Sequence, residues 1–179
     1  MSFQARPPAG TCLFGITIPL VGGDTLFADQ HAALDAMPQA LRERIEGRLA
    51  VHSARAVGAE RHVRCRRPGS RTQHGHPPSD SATATQLHPL VWEHPETGRL
   101  GIFSCIGYII GIESMDDEDA RSPGRTARGR PGTSSSYRHR WEADMLIMWD
   151  NRSLLHRATG GHDGYDRLLH RTTIGAPLG

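Results

Sequence analysis

Side chains able to do chemistry gather in the last third of the chain. His156 follows the apolar run Met145-Leu146-Ile147-Met148-Trp149 and the turn Asp150-Asn151, which predicts a place at the rim of a sheet with the ring facing a cavity. Arg167 comes eleven residues later and Arg171 four beyond that. On a strand, positions four apart share a face, so both guanidinium groups are expected on one side with Leu169 and Thr173. A planar guanidinium clamps a carboxylate through paired hydrogen bonds and keeps its charge, so two facing inward require an anion. A lone histidine is more often structural than a ligand, and arginines often serve surface ion pairs. Spacing and shared face are what single these three out.

A second group, His62, Cys65, His74 and His76, has the residue types of a metal site, but its spacing matches no zinc pattern. Cys12, Cys65 and Cys105 are odd in number and far apart, without a Cys-x-x-Cys pair. They form no disulfide framework, and a reducing, cytoplasmic setting is expected.

The elements that must position these residues are mostly short strands. The run from Thr11 to Pro19, rich in Ile and Thr, predicts a buried strand closed by the Gly22-Gly23 turn. Asp29 is a candidate N-cap, Pro38 opens a second helix, and Leu41, Ile45 and Leu49 recur every fourth residue until Gly47 and Val51-His52-Ser53 return the chain to extended structure. The segment His88 to Trp92, the turn residues His94-Pro95-Glu96-Thr97-Gly98-Arg99 and the run Leu100 to Cys105 read as a β-hairpin. Gly107 to Gly111, Tyr137 to Trp141, Met145 to Trp149 and Leu168 to Ile174 are further extended pieces, and Gly160 to Gly164 is a loop. Stretches 61–85 and 121–136 lack packing residues and are expected to be irregular, low-complexity loops. The predicted architecture is mainly β with peripheral helices, a sandwich or small barrel.

Composition sets the outer bounds. A chain of 179 residues with 37% apolar content suits a single domain with a lean core. The net charge of +2 is too near balance to indicate a nucleic-acid partner; all 21 cations are arginines, and their clusters lack the interleaved aromatics of a nucleic-acid site. No stretch is long enough to cross a membrane. Oligomeric state stays open, homo-oligomers included.

Four blocks carry a resemblance. Gly22-Gly23-Asp24-Thr25-Leu26-Phe27-Ala28, His94 to Arg99, Trp149-Asp150-Asn151-Arg152 through Leu155-His156-Arg157-Ala158-Thr159, and His170-Arg171-Thr172-Thr173 resemble the taurine dioxygenase and 2,4-dichlorophenoxyacetate dioxygenase family. The resemblance implies a double-stranded β-helix, or jelly roll, in which iron is held by a His-x-Asp pair and one distant histidine. His156 matches that histidine as the catalytic metal ligand. Thr25 matches the threonine that helps bind 2-oxoglutarate, Arg167 the arginine on its distal carboxylate, and Arg171 the arginine near the cosubstrate and substrate anions. The implied chemistry uses Fe(II), 2-oxoglutarate and O2 to hydroxylate a small anionic organic substrate, a sulfonate such as taurine, an alkyl sulfate or an aryloxy-carboxylate. Succinate and CO2 leave.

Two departures from the family pattern follow. The His-x-Asp pair falls just before the segment that Met1-Ser2-Phe3 matches, so the resemblance predicts a single, N-terminally incomplete dioxygenase domain over 1–179 that is inactive alone and poorly soluble. His94-Pro95-Glu96 has the spacing of such a pair, but occupies the hairpin turn of the family pattern. Arg121 to Ser136 stands where the family has a Leu-rich helix. One choice of codons for Pro123–Arg128, read one base along, spells Leu-Asp-Glu-Leu-Leu, so a compensated local frameshift is expected there.

Overall fold

The computed structural model describes residues 2–53, 85–103, 108–114 and 136–175. In chain order its elements are β1 (Gly10–Thr17), β2 (Thr25–Asp29), α1 (Gln30–Asp35), α2 (Gln39–Ile45), β3 (Leu49–Ser53), β4 (Thr85–Pro89) and β5 (Val91–Glu93). Then follow β6 (Leu100–Ile102), β7 (Ile109–Ile112), β8 (Ser136–His139), β9 (Leu146–Asp150), β10 (Leu154–Ala158) and β11 (Leu168–Ile174). The mainly β expectation holds.

Two antiparallel sheets carry the residues singled out above. One runs β11-β1-β9, with Thr11 opposite both Thr173 and Trp149, and Leu13 opposite both Arg171 and Ile147. The other runs β10-β2-β8, with Thr25 opposite Ala158 and His139, and Phe27 opposite His156 and Tyr137. Since strand side chains alternate between faces, these register partners project together. The two faces meet: Phe27 lies edge-on to Trp149 at 5.1 Å, Trp149 lies 4.7 Å from His156, and Trp141 Nε1 donates to Thr25 Oγ1 at 3.0 Å. Sheets packed face to face in this way suit a jelly roll.

A second apolar cluster supports this pair from the side. The β4-β3-β7 sheet, the β5-β6 hairpin and the helices bury Leu34, Ile45, Ala50, Leu90, Ile102 and Ile112 together. Asp29 caps α1 as its sequence predicts, Oδ1 accepting from the His31 and Ala32 backbone N–H groups at 2.8 and 3.1 Å.

Several boundaries differ from the sequence reading. The second helix stops at Ile45, because Gly47 takes a φ of +71° and turns the chain, which leaves Leu49 to open β3. The strand at Thr11–Pro19 ends at Thr17 and is only half buried: it lies between two strands, yet Phe14 and Ile16 on its outer face are exposed. Of the two predicted loops, Thr85 opens β4 and Ser136 opens β8, and the rest of 61–85 and 121–136 lies outside the described residues.

Candidate anion-binding and metal-ligand site

His156 stands mid-strand in β10, not at a rim, because the turn Asn151-Arg152-Ser153 ends at Leu154, where extended structure resumes two residues before His156. Its ring packs on Trp149 at 4.7 Å and on Phe27 at 6.4 Å, while another side faces solvent. Burial against this wall, and then the Arg171 charge, push its pKa from 6.5 down to about 4. At neutral pH the ring keeps a free lone pair, the form that binds a metal.

Arg171 enters this space from the facing sheet. Its register opposite Leu13 puts it on the inner face with Leu169 and Thr173, as the spacing predicts. Arg167 is placed differently: it precedes β11 and so is not a strand residue. It is half buried, its Nε donating to the Gly23 carbonyl at 3.0 Å, and burial lowers its pKa. Among the described residues neither Arg167 nor Arg171 has an acidic partner, although other arginines do: Arg138 pairs with Asp24 at 2.9 Å and Arg152 with Glu96 at 2.9 Å. A guanidinium without a carboxylate partner is suited to hold an anion.

The Gly22-Gly23 turn builds the floor beneath Arg167. Both glycines have positive φ, +72° and +74°, and the Gly23 N–H donates to the Gly160 carbonyl at 2.8 Å. A Cβ on Gly22 would lie 2.2 Å from the Gly161 carbonyl oxygen, and one on Gly23 would lie 3.0 Å from Arg167 Cδ and Nε. Glycine is therefore required for loop and arginine to approach. Thr25 follows directly, buried, its hydroxyl held by Trp141.

The sequence reading passed over His139 and Trp141. Both are buried, their rings are T-shaped at 4.7 Å, and His139 lies opposite Thr25. Their signal was the alternation Tyr137, His139, Trp141, which places an aromatic ring at every second residue of one face.

Two other candidates resolve differently. Both nitrogens of His94 are occupied, Nδ1 by the Glu96 and Thr97 backbone N–H groups and Nε2 by Asp150, so His94-Pro95-Glu96 does not replace the His-x-Asp pair. His62, Cys65, His74 and His76 lie outside the described residues. Among the described residues no three His, Cys, Asp or Glu side chains come together as a metal site. These residues offer Fe(II) the one donor His156 and do not by themselves fit it.

Fold and site together define a mainly β protein of jelly-roll type, with two arginines that lack acidic partners among the described residues and a histidine packed on an aromatic wall. The chain belongs to the family described as "Taurine catabolism dioxygenase TauD, TfdA family", whose model matches residues 1–173. It is 35% identical to a putative alpha-ketoglutarate-dependent sulfonate dioxygenase of Schizosaccharomyces pombe, over 96% of this chain and 41% of that protein. It is 30% identical to the alpha-ketoglutarate-dependent 2,4-dichlorophenoxyacetate dioxygenase of Cupriavidus pinatubonensis, over 96% of this chain and 57% of the relative. Among solved structures, a putative alpha-ketoglutarate dependent 2,4-D dioxygenase from Burkholderia xenovorans matches with a TM-score of 0.81 at 27% identity, covering 98% of this chain and 65% of that one. The chain spans about half the length of the curated relatives it matches. No helix among the described residues is long and apolar enough to cross a membrane.

Proposed function

We propose that this chain supplies the 2-oxoglutarate- and anion-binding side of an Fe(II)- and 2-oxoglutarate-dependent dioxygenase. Its substrate is a small anionic organic molecule, a sulfonate, alkyl sulfate or aryloxy-carboxylate, and its products include succinate and CO2. The observation that supports this reading is that Arg167 and Arg171 lack an acidic partner among the described residues, Arg171 lying on the face of β11 that meets the partly exposed His156 and Thr25 being buried close to the Gly22-Gly23 turn that holds Arg167. Arg167, pinned to the Gly23 carbonyl, holds the distal carboxylate of the 2-oxo acid, and Thr25, two residues on from Gly23, contributes its hydroxyl to the same ligand. Arg171 faces the second anion, where sulfonate, sulfate and carboxylate satisfy the same fork. His156 is the metal ligand of the set.

The alkylsulfatase of Acinetobacter baylyi and the sulfate ester dioxygenase of Pseudomonas putida, both relatives, support the sulfate end of this substrate range. The test is aerobic incubation of the full chain with Fe(II), 2-oxoglutarate and one anion of each kind. Succinate formed in step with one of them establishes the activity. A second reading, a jelly-roll shell that binds the 2-oxo acid without turning it over, is favoured by the single donor among the described residues. It predicts binding with no succinate above the metal-only blank.

A further inference from the structure

His94 is buried, and the proposed reaction does not use it. Its Nδ1 accepts two backbone N–H groups, from Glu96 and Thr97, each at 3.2 Å. The ring proton is thereby fixed on Nε2, which donates to Asp150 Oδ2 at 3.1 Å. Asp150 also accepts from Arg152, whose backbone N–H lies at 2.7 Å, Nε at 2.9 Å and Nη2 at 2.6 Å. Arg152 Nη2 then reaches Glu96 Oε1 at 2.9 Å, which closes a ring of polar contacts from the β5–β6 turn to the β9–β10 turn and back. Burial alone would raise the Asp150 pKa, but the Arg152 and His94 hydrogen bonds hold it at about 2.

Other elements grip the same turn. Trp92 Nε1 donates to the Arg152 carbonyl at 3.3 Å, the Gln30 N–H to the Ser153 carbonyl at 2.9 Å, and the Ser153 hydroxyl to His31 Nε2 at 3.1 Å. The His31 tautomer is set because its Nδ1–H donates to the Leu100 carbonyl at 2.8 Å. The clamped turn separates Trp149 from His156, the two rings that pack on each other at 4.7 Å between the two facing sheets. Fixing the turn fixes where those rings meet.

We propose that His94 is a positioning residue, which locks the Asp150–Arg152 turn through its Nε2 proton and so sets where His156 presents its imidazole. The functional meaning of that position rests on the dioxygenase reading; the contact itself does not. The test is therefore made on the full chain without metal or 2-oxo acid, by nuclear Overhauser contacts between the His156 ring and the Trp149 indole. In His94→Leu this contact is expected to fall at least about twofold, while contacts among Leu34, Ile45, Ile102 and Ile112 persist. His94→Gln, which still offers a side-chain donor towards Asp150, should restore it. If His94→Leu does not fold, Arg152→Lys takes its place, since it keeps the charge but loses the paired bonds. An unchanged His156–Trp149 contact in a folded variant overturns the proposal. So does its loss only together with the Leu34 cluster contacts, which would make the role one of general stability.

Discussion

Arg167 and Arg171 have no acidic partner among the described residues, and the His156 imidazole rests on an aromatic wall beside the Arg171 charge. The His156 pKa is lowered to about 4, and so is that of the fully buried His52, by burial and then by His88. Both groups bind their proton less readily folded than unfolded, so their contribution to stability is whole above about 6.5 and is lost as pH falls towards 4. Urea midpoints should drop over that window, before Asp150 begins to protonate between 3.8 and about 2. A midpoint constant from pH 7 to pH 4.5 would contradict both assignments. Gly23→Ala should cost about 1–3 kcal/mol, measured by the same unfolding, because its φ of +74° is strained for alanine and the added carbon crowds Arg167. The face that Arg171 shares with Leu169 and Thr173 was legible from strand spacing, Thr25 was singled out only through the family resemblance, and His139 and Trp141 were not singled out, since a buried ring that only supports another side chain has no motif of its own.

At the scale of elements, local chemistry was legible where one residue decides the outcome. Asp29 was readable as an N-cap because its carboxylate must meet the free N–H groups of the first turn, and Asp29→Ala should cost about 1 kcal/mol in thermal or urea unfolding. An unchanged stability would remove the cap from the account. The end of α2 was misjudged because Leu49 continues a four-residue spacing past Gly47, and backbone geometry at the glycine outweighs the apolar period. Arg167 was placed on the last strand because its spacing to Arg171 suits one. Arg167 instead lies just before that strand, its side-chain Nε donating to the Gly23 carbonyl, a contact between residues 144 apart in sequence that no local pattern encodes. The His94-to-Arg99 stretch was read correctly as a turn, while its connection to Asp150 is likewise non-local.

At the scale of the whole molecule, the outer face of the β1–β9 pair is apolar among the described residues. Leu146, Met148 and Phe14, neighbours in the β1–β9 register, are 66%, 67% and 37% exposed. An apolar surface of this kind drives self-association. The double variant Leu146→Lys with Met148→Glu should raise the monomeric fraction in sedimentation at a given concentration, and an unchanged distribution would contradict it. The pairing of strands distant in the chain, β11 with β1 and β10 with β2, was not legible, because composition and periodicity specify strands but not their partners, and the family resemblance implied only a jelly roll. The central claim is that this pairing assembles an anion site for a 2-oxo acid. Its most direct test is titration of the full chain with 2-oxoglutarate, followed by amide resonances. The account predicts saturable shifts at Gly23, Thr25 and Arg167, weakened about tenfold or more in Arg167→Leu. Shifts that are absent, or that are the same in the variant, would contradict it.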